Sequence, residues 1–255
     1  MADPVVYSGM KEPHPDQFIK YYGIHACLAL AEKRRQDIFR VYLDESNVKT
    51  FSSLLKWCAK EKKVYRILPP AEMSKVAGSI HHEGVCIAAK ELKPTTEQQF
   101  KAMLAKNPEK CCLLYLDGVQ NPHNIGSIVR TAAHFGVHYI LGENLSPLPP
   151  AACRIAKGGA ELVQLISLKK PAETLKWLEQ QKFQIIGTSS HQGTSLFRYT
   201  FPARSVIAMG SESIGVSSSF LKNAISIPGT DSVESLNVAV ATALCIGEYC
   251  RQHQG

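Results

Sequence analysis

Apolar and polar residues change period several times along this chain. From Tyr22 to Ala31 and on to Arg35, small and apolar residues recur at helical spacing before the basic run Lys33-Arg34-Arg35. That ending suits a helix C-terminus, where cations meet the negative end of the helix dipole. Residues 38–43 alternate as a half-buried strand, 51–62 return to helical period with Leu54, Leu55 and Cys58, and 64–68 alternate again. The turn Glu83-Gly84 then leads into the apolar strand of residues 85–89. Residues 18–90 are therefore expected to form a small α/β unit. The first 17 residues carry Pro and polar residues without periodicity and read as a flexible leader. Residues 91–108, polar around a short amphipathic piece, read as a linker.

After residue 108 the rhythm changes. Apolar strands at 112–116, 137–141, 184–187 and 206–209 are separated by helical segments, the pattern of a parallel α/β sheet. Ligands of such sheets sit at the carboxyl ends of the strands, so candidate chemistry is sought there. The strand ending at Leu116 is followed by Asp117 to Asn124 and then by a helix that Gly136 stops. In that helix Ile125, Ile128, Val129 and Ala132 form one apolar stripe. Arg130 lies about 100° round the helix from Val129 and is free to reach a ligand. A plain N-cap for Asn124 and a solvated surface cation for Arg130 are the simpler alternatives.

Composition narrows the class. With 255 residues, 45% hydrophobic and 20% charged, the chain is an ordinary globular one, long enough for one large domain or two smaller ones. Its net charge of +7 is spread over both halves and is compatible with a polyanionic partner. The eight cysteines show no C-x-x-C spacing and sit in apolar runs, so reduced core thiols are expected, with no metal site. No apolar run reaches the roughly 18 residues of a membrane span, and the reading is a soluble cytoplasmic protein.

Two more segments carry candidate chemistry. Residues 206–215 form a strand running into a glycine-framed loop, Met209-Gly210-Ser211-Glu212-Ser213-Ile214-Gly215, with one acid inside it. The loop lacks G-x-G-x-x-G spacing, and no P-loop sequence occurs, so neither NAD nor ATP is indicated. Residues 225–244 read as a short strand, a turn and a helix that is small and apolar on nearly every face from Leu236 onward, as in a core or a subunit interface. Ser235 and Asn237 stand at its start, as caps or as ligand-binding groups.

Taken in order, N-x-G-x-x-x-R-T-A-x-x-F-G (Asn124 to Gly136), M-G-S-E-x-x-G (Met209 to Gly215) and I-P followed by E-S-L-N-V (Ile227, Pro228, Glu234 to Val238) resemble the SpoU (TrmH-like) family of RNA ribose 2′-O-methyltransferases. The match covers roughly residues 113–251. Residues 18–90 resemble that family's substrate-binding domain, which is similar to the ribosomal L30e fold. Tyr22-Gly23-Ile24-His25-Ala26 and His82-Glu83-Gly84-Val85 stand at its opening and closing motifs.

The resemblance implies an L30e-like RNA-binding domain at 18–90 and a methyltransferase domain at 109–255 with the deep trefoil knot of the SPOUT superfamily. It further implies a homodimer formed through the C-terminal domain, S-adenosylmethionine as cofactor and transfer RNA or ribosomal RNA as substrate. Arg130 falls at the reacting hydroxyl, and Asn124, Glu212, Ser235 and Asn237 at the other catalytic positions. Thr188, Gly210, Ile227 and Leu236 fall at cofactor positions. The third motif departs from the family's pattern at Gly229 and Asp231, which suggests as an alternative a non-catalytic RNA-binding relative without cofactor affinity.

Overall fold

All five residues of the strand Val85–Ala89 are buried, which fits the unbroken apolar run read there and places it at the centre of a sheet. A computed structural model describes residues 18–105, 109–230 and 232–253. The expected leader at 1–17 and the departure at Asp231 lie outside them. In chain order the elements are β1 (Ile19–Tyr22), α1 (Ile24–Lys33), β2 (Ile38–Leu43), α2 (Ser52–Lys60), β3 (Val64–Ile67), α3 (Pro70–Ala77), β4 (Val85–Ala89), α4 (Glu97–Leu104), β5 (Cys111–Asp117), α5 (Pro122–His134), β6 (Tyr139–Glu143), α6 (Pro150–Ile155), β7 (Gln164–Leu168), α7 (Pro171–Gln180), β8 (Gln184–Thr188), β9 (Thr194–Ser195), β10 (Arg204–Gly210), β11 (Ala224–Ser226) and α8 (Val238–His253).

The chain divides into two compact units, the first comprising Met1–Leu92 with Leu148–Glu161, the second Lys93–Pro147 with Leu162–Gly255. In the first, the sheet order is β1-β4-β2-β3, with β4 antiparallel to both neighbours and β2 parallel to β3. Cys27 and Leu30 of α1, Leu54 and Cys58 of α2 and Met73 of α3 are buried. Glu83 Oε2 accepts from the Ile24 N–H at 3.0 Å, satisfying one of the free donors at the start of α1.

Residues 148–161, expected in the C-terminal domain, belong instead to this first unit. α6 buries Ala152 and Cys153, Arg154 pairs with Glu83 at 3.1 Å, and Glu161 accepts from Arg34 Nε at 2.8 Å. An apolar face only six residues long gives no periodicity to read, and pairs this far apart in sequence leave no local signal.

The second unit carries a wholly parallel sheet in the order β7-β6-β5-β10-β8-β11-β9. Part of the stretch read as a linker forms a helix here, α4. Thr96 caps α4 in a capping box with Gln99, and Phe100 and Leu104 are buried with Leu113, Tyr139, Leu178 and Phe183. α5 packs against α8. Its buried face is Gly126, Ile128, Val129 and Ala132, with Ile125 only half-buried. The helix ends where expected. Gly136 has φ 72°, and the Val137 N–H donates to the Ala132 carbonyl at 2.8 Å, the Schellman arrangement that a left-handed glycine permits.

Candidate active site at the carboxyl ends of the parallel strands

Strand register and strand ends gather three of the four expected cofactor positions, Gly210, Thr188 and Ile227. Asp117 pairs with Gly210, Ala208 with Gly187, and Ile225 with Thr188, so the carboxyl ends of β5, β10, β8 and β11 lie side by side. Gly210 and Thr188 close two of these strands, and Ile227 follows the third. Thr188 Oγ1 donates to the Ala208 carbonyl at 2.9 Å, tying β8 to β10 near that edge. Gly210 is sterically required, because a Cβ there would strike the Gly215 backbone. The chain folds back at that point: the Gly215 N–H donates to the Ser211 carbonyl at 2.8 Å, and Gly215 adopts φ 73°.

Asp117, which the sequence reading did not single out, holds both ends of this loop. Its carbonyl accepts from the Ser211 N–H at 3.1 Å and its Oδ2 from the Ser217 N–H at 2.6 Å. An acid closing an otherwise buried strand was the available signal.

The loop delivers Glu212 to the start of α8. Asn237 Nδ2 donates to Glu212 Oε1 at 2.6 Å and to Asn124 Oδ1 at 3.0 Å, and Asn124 Nδ2 donates to Glu212 Oε1 at 3.2 Å. Asn237 Oδ1 in turn accepts from the Ala239 N–H at 3.0 Å, so it caps α8 while contacting the other two residues. The Glu212 carboxylate sits where the helix dipole favours negative charge, with the Val238 N–H 3.4 Å from Oε1. Asn124 is not the cap of α5. Asn121 is, accepting from the His123 N–H at 2.9 Å, which leaves the Asn124 side chain to the cluster.

The side chains of Arg130 and Ser235 are exposed and make no hydrogen bond or ion pair with another described residue. Arg130 stands six residues beyond Asn124 on α5, about 9 Å further along the axis and on another face. Of the five expected catalytic residues, three are therefore joined by hydrogen bonds and two stand outside the cluster. Gly229 has room for a side chain and no left-handed backbone, so the third motif carries no strain at that position.

Geometry and ordered motifs define an α/β protein with a polar cluster at its sheet edge, and the family models agree. The model described as the SpoU rRNA Methylase family matches residues 112–247, and that for RNA 2′-O ribose methyltransferase substrate binding matches residues 21–95. The chain belongs to the SpoU rRNA methylase family. It is 35% identical to a protein named uncharacterized tRNA/rRNA methyltransferase YfiF of Escherichia coli O157:H7, over 92% of this chain and 68% of that one. It is 31% identical to the 23S rRNA (guanosine-2′-O-)-methyltransferase RlmB of Pectobacterium atrosepticum, over 92% and 98%. The SpoU methyltransferase AviRb of Streptomyces viridochromogenes, solved with AdoMet, superposes with a TM-score of 0.74 over 94% of this chain and 92% of that one. At 19% identity that likeness bears on the fold alone.

Proposed function

We propose that the protein transfers a methyl group from S-adenosylmethionine to a ribose 2′-hydroxyl in RNA, with its catalytic residues at the carboxyl edge of the parallel sheet. The observation that carries this reading is the Asn124–Glu212–Asn237 cluster, built from all three motifs and set beside Gly210. Ribosomal RNA is the favoured substrate, because relatives of nearly the same length are named for guanosine methylation in 23S rRNA. No helix among the described residues is long and apolar enough to cross a membrane. A cytoplasmic location completes the reading.

The residues present fit the cofactor. Ile227 and Leu236 offer apolar surface, Leu236 is 43% exposed, and its backbone N–H makes no hydrogen bond to another described residue. Together with Gly210 and Thr188 they would hold the adenosyl group, and the knot implied by the family is part of this assignment. The bound cofactor supplies an electrophilic sulfonium methyl.

The chain's own work is orientation and charge placement. A guanidinium is a poor base, so Arg130 acts by gripping an RNA phosphate beside the reacting hydroxyl and stabilising the oxygen as its proton passes to solvent. Glu212, fixed by Asn124 and Asn237, accepts a hydrogen bond from the substrate, and Ser235 supplies a further hydroxyl contact. Val240 and Leu244, one turn apart on α8, are 50% and 38% exposed and form the apolar strip assigned to a homodimer contact. Calorimetric titration of S-adenosylmethionine tests the cofactor assignment. Saturable binding weakened by Gly210→Ala is expected, and absence of binding by the folded protein would refute it.

A further inference from the structure

The opposite edge of the same sheet holds a cavity of about 310 Å³ in the second unit, lined by Leu104, Trp177, Gln180, Gln181, Lys182 and Arg204 among others. Arg204 opens β10, six residues from Gly210, so the cavity lies about 20 Å along the strand from the catalytic edge. Among the described residues its lining has two cations and no carboxylate. The Arg204 guanidinium carbon lies 4.3 Å from the centroid of the Phe183 ring, and its buried Nε has no hydrogen-bond partner among the described residues. Trp177 supplies an indole wall, held in place by Phe100 at 6.3 Å and by Lys101, whose charge is already paired with Glu97 at 2.7 Å.

Lys182 and Arg204, without an ion-pair partner among the described residues, can take phosphate, an indole takes the face of a base, and the two glutamine amides can read a base edge. We propose that this cavity is a second nucleotide site, binding a nucleoside phosphate through Arg204 and Lys182 with the base against Trp177. The ligand is either a nucleotide of the RNA outside the methylated position, which rests on the methyl-transfer reading, or a free mononucleotide, which does not.

The chain has two tryptophans, so Trp57→Phe leaves Trp177 as the sole indole emitter. This protein is titrated with uridine 5′-monophosphate, which has no adenine to enter the cofactor pocket, and separately with a short single-stranded oligoribonucleotide. Saturable quenching of Trp177 is expected. It should weaken roughly tenfold in Lys182→Asn, which removes a charge-assisted contact while tolerating the φ of 64° at that position, and also in Arg204→Gln. Quenching by the oligonucleotide alone assigns the site to RNA, and quenching by both assigns it to any nucleoside phosphate. No quenching by either ligand, or quenching unchanged in Lys182→Asn, overturns the proposal. Titration of S-adenosylmethionine into the same variants should be unaffected, which separates failure of this site from failure of the catalytic reading.

Discussion

Asn237 joins helix capping to the candidate active site: its amide nitrogen lies 2.6 Å from Glu212 Oε1 while its amide oxygen accepts from the N–H groups at the start of α8. The two jobs can be separated by substitution. Asn237→Asp keeps a good cap but sets a second carboxylate against Glu212, so α8 should stay capped while methyl transfer collapses. Asn237→Ala should lose transfer and in addition about 1 kcal/mol of stability. Equal activity in Asn237→Asp and the unaltered protein would show that the residue is a cap and nothing more.

The Arg130 side chain makes no hydrogen bond or ion pair with another described residue, so Arg130→Ala should leave the melting temperature and S-adenosylmethionine binding unchanged while abolishing transfer. Arg130→Lys should recover little, because a point charge replaces a bidentate fork. Calorimetry and a transfer assay on both variants check this.

Asp117 holds both ends of the loop that carries Glu212. Removing its carboxylate in Asp117→Ala frees the Ser217 N–H and should lower the turnover number roughly tenfold or more, the loss expected for a hydrogen bond to a charged group. Steady-state kinetics with RNA as the varied substrate read this out. Unchanged turnover would show that the loop keeps its place without the carboxylate.

Acid should weaken the end of α8. Arg251 donates to both oxygens of Glu248 at 2.7 and 2.8 Å, and Gln252 donates at 2.8 Å. These hydrogen bonds bring the Glu248 carboxyl down from about 4.5 to about 2. A folded value below the unfolded one adds stability that is complete above about pH 4.5 and is lost as pH falls toward 2. In urea unfolding, Glu248→Gln should therefore differ most from the unaltered protein near neutral pH and least near pH 3.

The thiols should be inert. Burial pushes Cys58 and Cys111 up to about 11 and Cys86, Cys153 and Cys245 up to about 12, and it raises Cys27 and Cys112 as well. Alkylation of the native protein near pH 7 should be slow at all of these positions and become rapid in denaturant.

Much of the architecture was legible because long apolar strands such as Leu113–Leu116 and the striped helix α5 declare themselves by period and by their stop signals. Three features were not. Phe100 and Leu104 mark α4 as core, but two apolar residues in a polar stretch also fit a linker. The docking of α6 depends on Arg154–Glu83 and Arg34–Glu161, contacts made across 71 and 127 residues. Asp117 reads as a strand end, and only the folded loop shows that Ser211 and Ser217 both bond to it. In the site, motif order identified Asn124, Glu212 and Asn237 together, whereas local pattern alone left Asn124 as a cap that Asn121 in fact provides.

The central claim is best tested by incubating the protein with methyl-labelled S-adenosylmethionine and ribosomal RNA, digesting the RNA to nucleosides and locating the label. Label on a ribose 2′-oxygen, absent with Arg130→Ala, is the predicted result. Label on a base, or equal labelling by Arg130→Ala, would contradict the account.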